Sequence, residues 1–228
     1  MNVLVLIPPS EGKVSGGEQK PLEHVRDEVV SVQKSILTAK HPEKLYGVKK
    51  ALAFKAHELN KTITTTPTMP AIKRYSGVVY KAIDYDSLSA KAKSFFHVHF
   101  RILSPMFGLV KPNERIPEYK MKFSKLKLDA YWKPILSKKL ESFFIIDLLA
   151  KEQRKAVYYE NGIRVDFQLK QDGVKRAAGH FGKHIKGRFI RFMCEHSYTN
   201  IDDLATFSED GFSCVEKSDE YLMFEKEL

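Results

Sequence analysis

"AVYYENGIRVDFQLKQDG", residues 156–173, decides between two fold classes for this chain. Two runs that alternate apolar and polar residues flank Asn161-Gly162. An Asn-Gly pair is what a two-residue hairpin turn demands, because both central positions need positive φ. The stretch therefore predicts an antiparallel hairpin. Asn2 to Ile7 is rich in Val, Leu and Ile, the pattern of a strand buried on both faces. Pro8 and Pro9 end it, since neither can donate to a ladder. Residues 100–103 and 143–150 are two further strand candidates, and Cys214 to Glu225 reads as a last strand or hairpin. A hairpin among irregularly alternating strands and helices favours an α+β or mixed-sheet domain over a doubly wound one.

Helical spacing dominates the early chain. From Pro21 to about Lys40, Leu22, Val25, Val29, Val32, Ile36 and Leu37 recur on one face. A second helix is predicted from Pro42 to Asn60, with Leu45, Val48, Leu52, Ala56 and Leu59 inward. Lys44, Lys49, Lys50 and Lys55 fall on its other side. This helical region covers about residues 20–60, and "TITTTPTMP" (62–70) links it onward. Further helices are predicted over Ser87 to Phe96, capped by Asp86 or Ser87, around Pro134, and from His180 to about Ser197.

The 228 residues are 43% hydrophobic, enough for one domain with a real core. Net charge is +10. A basic surface attracts polyanions over about a Debye length, although solvated surface lysines give the same figure. Two cysteines, Cys194 and Cys214, form no disulfide framework, and a reducing compartment is the simpler reading. The first apolar run has no basic leader and is too short to span a bilayer, so a cytoplasmic protein without a membrane partner is expected.

Three stretches could carry chemistry. Ser10-Glu11-Gly12-Lys13 follows the first strand, where α/β architectures bind small ligands. It lacks the earlier glycine and the following Ser or Thr of a phosphate loop. Anion binding by Ser10 and Lys13 and an ordinary polar strand exit both remain open. "SPMFGLVKP" (104–112) is an apolar turn fenced by prolines that fix φ. Arg101 and Ser104 precede its centre, and Arg115, Tyr119 and Lys120 follow. Guanidinium forks at both ends suit a carboxylate or phosphate; the alternative is a buried turn with surface arginines. Lys183, Lys186 and Arg188 stand at the head of the late helix, where free N–H groups favour an anion. His97 and His99 would share a face of a strand, and His180 and His184 a face of a helix. No acidic residue joins them at a ligand spacing, so they read as packing or surface groups; no metal or cofactor is expected. Cys194 reads as a small buried residue.

Several of these segments carry a resemblance. Residues 7–13 (IPPSEGK), Tyr75-Ser76-Gly77-Val78-Val79-Tyr80, residues 100–112 (FRILSPMFGLVKP), Ile116-Pro117-Glu118-Tyr119-Lys120-Met121, Tyr131-Trp132, residues 181–187 and Gly211-Phe212 occur in the order of the motifs of the YaaA family of bacterial peroxide-stress proteins. The chain departs from that pattern at Pro105, Phe107 and Lys111. The resemblance implies one compact domain over residues 1–228, with a mixed β-sheet flanked by helices. It implies protection of DNA from oxidative damage, linked to lowering free intracellular iron. It also implies DNA binding through a helix-hairpin-helix-like element in the early helical region. The family's positively lined cleft falls here on Ser10, Lys13, Arg101, Ser104, Arg115, Tyr119, Lys183 and Lys186.

Two functions are then expected. One is non-specific binding of double-stranded DNA through Lys44, Lys49, Lys50 and Lys55, by backbone phosphates. The other is an enzyme acting on a small anionic or nucleotide-like substrate in the cleft.

Overall fold

Leu4, Val5, Leu6 and Ile7 are all buried at the centre of the protein, as their unbroken apolar run requires. They belong to β1 (Val3–Ile7) in a computed structural model that describes residues 2–228. Along the chain follow α1 (Asp27–Leu37), α2 (Pro42–Tyr46), α3 (Lys50–Lys61), β2 (Thr68–Pro70), α4 (Ala71–Arg74), α5 (Val78–Ile83) and α6 (Ala90–His99). Next come β3 (Phe100–Ser104), β4 (Gly108–Val110), β5 (Arg115–Pro117), α7 (Leu128–Leu140), β6 (Phe144–Asp147) and α8 (Lys151–Arg154). The chain closes with β7 (Gly162–Gln171), β8 (Val174–Ala177), α9 (Gly179–His196), α10 (Ile201–Ala205), β9 (Ser213–Lys217) and β10 (Tyr221–Glu227).

One eight-stranded mixed sheet organises the molecule in the order β4-β3-β1-β6-β7-β10-β9, with β8 on β7. Its middle is parallel: β3, β1, β6, β7 and β10 run the same way. β4 and β9 lie antiparallel at the two edges, and β2 and β5 form a separate short pair. Helices flank the sheet, and the whole is a single compact α+β domain, as the sequence led us to expect.

The hairpin predicted across Asn161-Gly162 does not form; a different one, β7 with β8, lies one strand further along. Gly162–Arg164 pairs in parallel with β6, so residues 156–160 have no antiparallel partner and form no strand. The turn falls at Asp172-Gly173, whose φ values are 51° and 77°. Both are positive, as a primed two-residue turn requires, and β7 and β8 pair antiparallel across it.

Other local expectations shift for similar reasons. The helix foreseen over residues 42–60 is two, α2 and α3, separated at Gly47, which is left-handed at φ 63°. Ser89, not Ser87, caps α6 by accepting the Ala92 N–H at 3.2 Å. His97 and His99 lie at the end of that helix rather than on a strand. Each has its own packing partner: His97 Nε2 bonds the Tyr85 hydroxyl at 2.7 Å, and His99 Nδ1 lies 3.0 Å from the Val3 carbonyl. Among the described residues no three His, Cys, Asp or Glu side chains group as metal ligands. Among the described residues no helix is long and apolar enough to cross a membrane.

The order of strands positions the site. From β1 the chain moves to β3 on one side, then passes back to β6 on the other. Connections leaving neighbouring parallel strands in opposite directions open a crevice outside their carboxyl ends. A second opening lies beside it. β6 occupies one edge of β7 only through Arg164, and β8 takes up that edge from Gln168. Asp166 and Phe167 stand in the gap.

Candidate functional site

At those carboxyl ends lies a cleft of about 650 Å³. Ser10 and Gly12 enter it from the loop after β1, Ala150 and Gln153 from beyond β6, and Asp166 and Phe167 from the gap in β7. Lys183 and Lys186 enter from the first turns of α9, and Tyr80 from α5. Gly77 lets α5 approach closely: a Cβ placed there would lie 2.3 Å from Ser10 Oγ. Tyr80 donates to the Pro8 carbonyl at 2.8 Å, which fixes the loop that follows β1. Burial raises the Tyr80 phenol well above its usual range, so it is neutral.

Lys186 reaches inward and donates to the Leu148 carbonyl. Desolvation lowers its ammonium to about 8, against the pull of Asp166 and Asp147 in the other direction. Behind it stands an ion-pair network. Asp147 ends β6 with a side chain 1% exposed; it accepts from Arg154 Nε at 3.0 Å, the Tyr159 hydroxyl at 2.9 Å and the Leu149 N–H at 2.7 Å. Arg154 also forks onto Asp166, at 2.8 and 3.1 Å. A buried carboxylate is tolerated because three donors satisfy it.

Lys13, Ser104 and Tyr119 come together behind the cleft, not in it. The Lys13 Nζ donates to the Ser10 carbonyl at 3.0 Å and stands over the Tyr119 ring, 4.2 Å from its centre, with Tyr75 at 5.4 Å. Desolvation lowers the Lys13 ammonium to about 7, and the charge of Lys120 adds to this. The Tyr119 hydroxyl bonds Tyr75 at 2.8 Å and Ser104 at 2.9 Å. Ser104 Oγ also accepts the N–H groups of Met106 and Phe107, at 3.3 and 3.0 Å. The proline-fenced turn is thus a buried floor: Met106 and Phe107 are buried, and Trp132 Nε1 donates to the Pro105 carbonyl at 2.9 Å.

The two arginines of that turn lie elsewhere, and neither lines the cleft. Arg101 is the second residue of β3, just past the end of α6, and its guanidinium folds back onto carbonyls of the last helical turn and the residue beyond it, Val98 at 3.2 Å and Phe100 at 2.7 Å. Those carbonyls lack helical partners. Arg115 is exposed on β5, opposite Pro70. Lys44, Lys49, Lys50 and Lys55 are all exposed on α2, the turn and α3. Lys49 is the N-cap of α3 and Lys50 its first residue, and the first turn holds no acidic side chain.

Sequence reasoning missed several members of these clusters. Tyr75 and Tyr80 lay inside a segment noted only for its motif. Asp147 had a signal, a carboxylate ending a buried apolar run. Arg154, Gln153 and Asp166 had none, because no local spacing distinguishes them.

This is an α+β protein whose crevice sits at the carboxyl ends of a parallel sheet core, with a lysine–tyrosine–serine cluster behind it. The chain belongs to the YaaA family; the family's sequence profile, described as peroxide stress protein YaaA, matches residues 3–218. Among similar proteins are a UPF0246 protein of Corynebacterium glutamicum (strain R), 29% identical over 95% of this chain and 96% of its own length. A UPF0246 protein of Finegoldia magna is 29% identical over 85% of each chain. Another from Corynebacterium efficiens is 31% identical over 84% of each.

Proposed function

We propose that this protein acts in peroxide stress by binding double-stranded DNA without sequence preference, through the turn between α2 and α3. One observation carries the reading. Left-handed Gly47 reverses the chain into the N-terminus of α3, which Lys49 and Lys50 flank with no acid in its first turn. Free N–H groups, the positive end of the helix dipole and two ammonium groups then meet one backbone phosphate. Lys44 and Lys55 add charge along the same helices. Contacts to phosphate give strong salt dependence and little base readout. The lowering of free iron that the family resemblance implies enters this proposal as an effect on DNA damage, not as iron ligation by this chain.

The test is a salt titration of binding to a short duplex. Wild type shows a steep slope; Lys49→Glu/Lys50→Glu weakens binding and flattens the slope by about one phosphate contact. Equal binding by both proteins overturns the reading.

The cleft supports a second reading, a site for a small anion. Its support is the convergence of Ser10, Lys183 and Lys186 with the first turn of α9. Phosphate or a nucleotide then raises the thermal midpoint of wild type and not of Lys183→Ala/Lys186→Ala.

A further inference from the structure

Lys13 is a buried amine that neither reading uses. Its Nζ has one acceptor, the Ser10 carbonyl, and it makes no ion pair among the described residues. Glu11 is near, but Lys122 holds it at 2.9 Å and Lys120 at 3.9 Å. Glu118 also faces Lys13, while Lys120 and Arg74 repel its charge. The amine therefore sits against two aromatic faces with donors to spare.

A cavity of about 270 Å³ reaches it from under α3. Val48, Leu52, Ala56 and Leu59 supply its apolar wall; Lys55 and Lys120 stand in the same lining, with Glu11 and Glu118. Tyr119 lines it too, and its hydroxyl is the middle of a hydrogen-bonded chain. Ser104 Oγ accepts two backbone N–H groups, so it donates its own proton to Tyr119. Tyr119 donates in turn to Tyr75. Such a chain takes up a proton at one member and releases one at another.

We propose that Lys13 is a nucleophile that forms an imine with a small aldehyde or ketone bearing a carboxylate, bound in the cavity under α3. The Nζ lone pair attacks the carbonyl carbon, the carbonyl π electrons move to oxygen, and one proton leaves nitrogen as one reaches that oxygen, giving a neutral carbinolamine. The carbinolamine then loses an N–H proton and expels the protonated hydroxyl as water, leaving C=N. Amine and carbonyl thus give imine and water, with no oxidant or reductant. Tyr119 carries the protons. Lys55, exposed and without an ion pair among the described residues, holds the carboxylate. An amine lowered to about 7 is largely neutral at pH 7.5, where an ordinary lysine is almost wholly protonated.

The wild-type protein tests this directly. It is incubated with glyoxylate and cyanoborohydride at pH 7.5, the reductant trapping any imine, and modified lysines are located by peptide mass. Lys13 is expected to react at least about tenfold faster than the average lysine, from its larger neutral fraction. Tyr119→Phe keeps the ring and loses the hydroxyl; its Lys13 labelling is expected to slow several-fold with the fold intact by circular dichroism. If Lys13 reacts no faster than the average lysine, or only in denaturant, the nucleophile is overturned. If Tyr119→Phe labels at the wild-type rate, the proton-carrying role is overturned. Neither outcome touches the DNA reading, which the duplex titration decides.

Discussion

Asn60 grips both backbone groups of Lys120: its Nδ2 donates to the Lys120 carbonyl at 2.8 Å, and its Oδ1 accepts the Lys120 N–H at 2.9 Å. The same Nδ2 donates to the Tyr46 hydroxyl at 2.9 Å. One buried side chain therefore joins α2 and α3 to the segment that carries Tyr119. Asn60→Ala leaves these groups buried and unpaired. It is expected to cost about 2–4 kcal/mol, several times the worth of one satisfied hydrogen bond. Urea denaturation measures it; a loss below about 1 kcal/mol would mean that water replaces the amide.

Gly77 and Ser10 form a second coupled pair. A Cβ at residue 77 meets Ser10 Oγ at 2.3 Å and its Cβ at 3.0 Å. Gly77→Ala is expected to cost about 1–3 kcal/mol by overpacking and to displace the loop after β1. Ser10→Gly in the same chain removes both clashing atoms and should return most of that loss. A double-mutant cycle reads the coupling; additive effects would show that the two residues do not touch.

Arg154 neutralises Asp147, whose side chain has almost no access to water. Arg154→Ala leaves a buried carboxylate with only the Tyr159 hydroxyl and the Leu149 N–H, at an expected cost of about 3–5 kcal/mol. Replacing Asp147 and Arg154 together by apolar residues should cost less than Arg154→Ala alone. Denaturant midpoints of the three proteins check the order.

Lys13 and Lys186 make stability depend on alkaline pH. In the folded protein their ammonium groups lie near 7 and 8, below the ordinary 10.5. Between those values and 10.5 the unfolded chain binds more protons than the folded one, so stability rises with pH. The rise runs from about pH 7 toward pH 10, where ionisation of tyrosines in the unfolded chain begins to oppose it, because Tyr75 is held up to about 12 when folded. Lys13→Met removes part of the slope. Denaturation midpoints from pH 7 to 10 read it; a flat wild-type curve contradicts the two lysine shifts.

Residues close together along the chain were enough to decide local structure. The unbroken apolar run of Leu4 to Ile7 could only be a strand buried on both faces, and the spacing of Val29, Val32 and Ile36 could only bury one helical face. The alternation after Gly162 announced the strand that became β7. The motif segments, taken in order, indicated the family. Where a hairpin turns depended on the closed sheet, because Asn161-Gly162 and Asp172-Gly173 both suit a tight turn and β6 takes the edge beside the first. Nor could spacing show that Arg101 would cap α6 instead of facing a ligand. The Lys13, Tyr75, Ser104 and Tyr119 cluster is assembled from four separate segments. Its hydrogen bonds and its desolvation exist only once the sheet has closed, since no local interaction draws those side chains together.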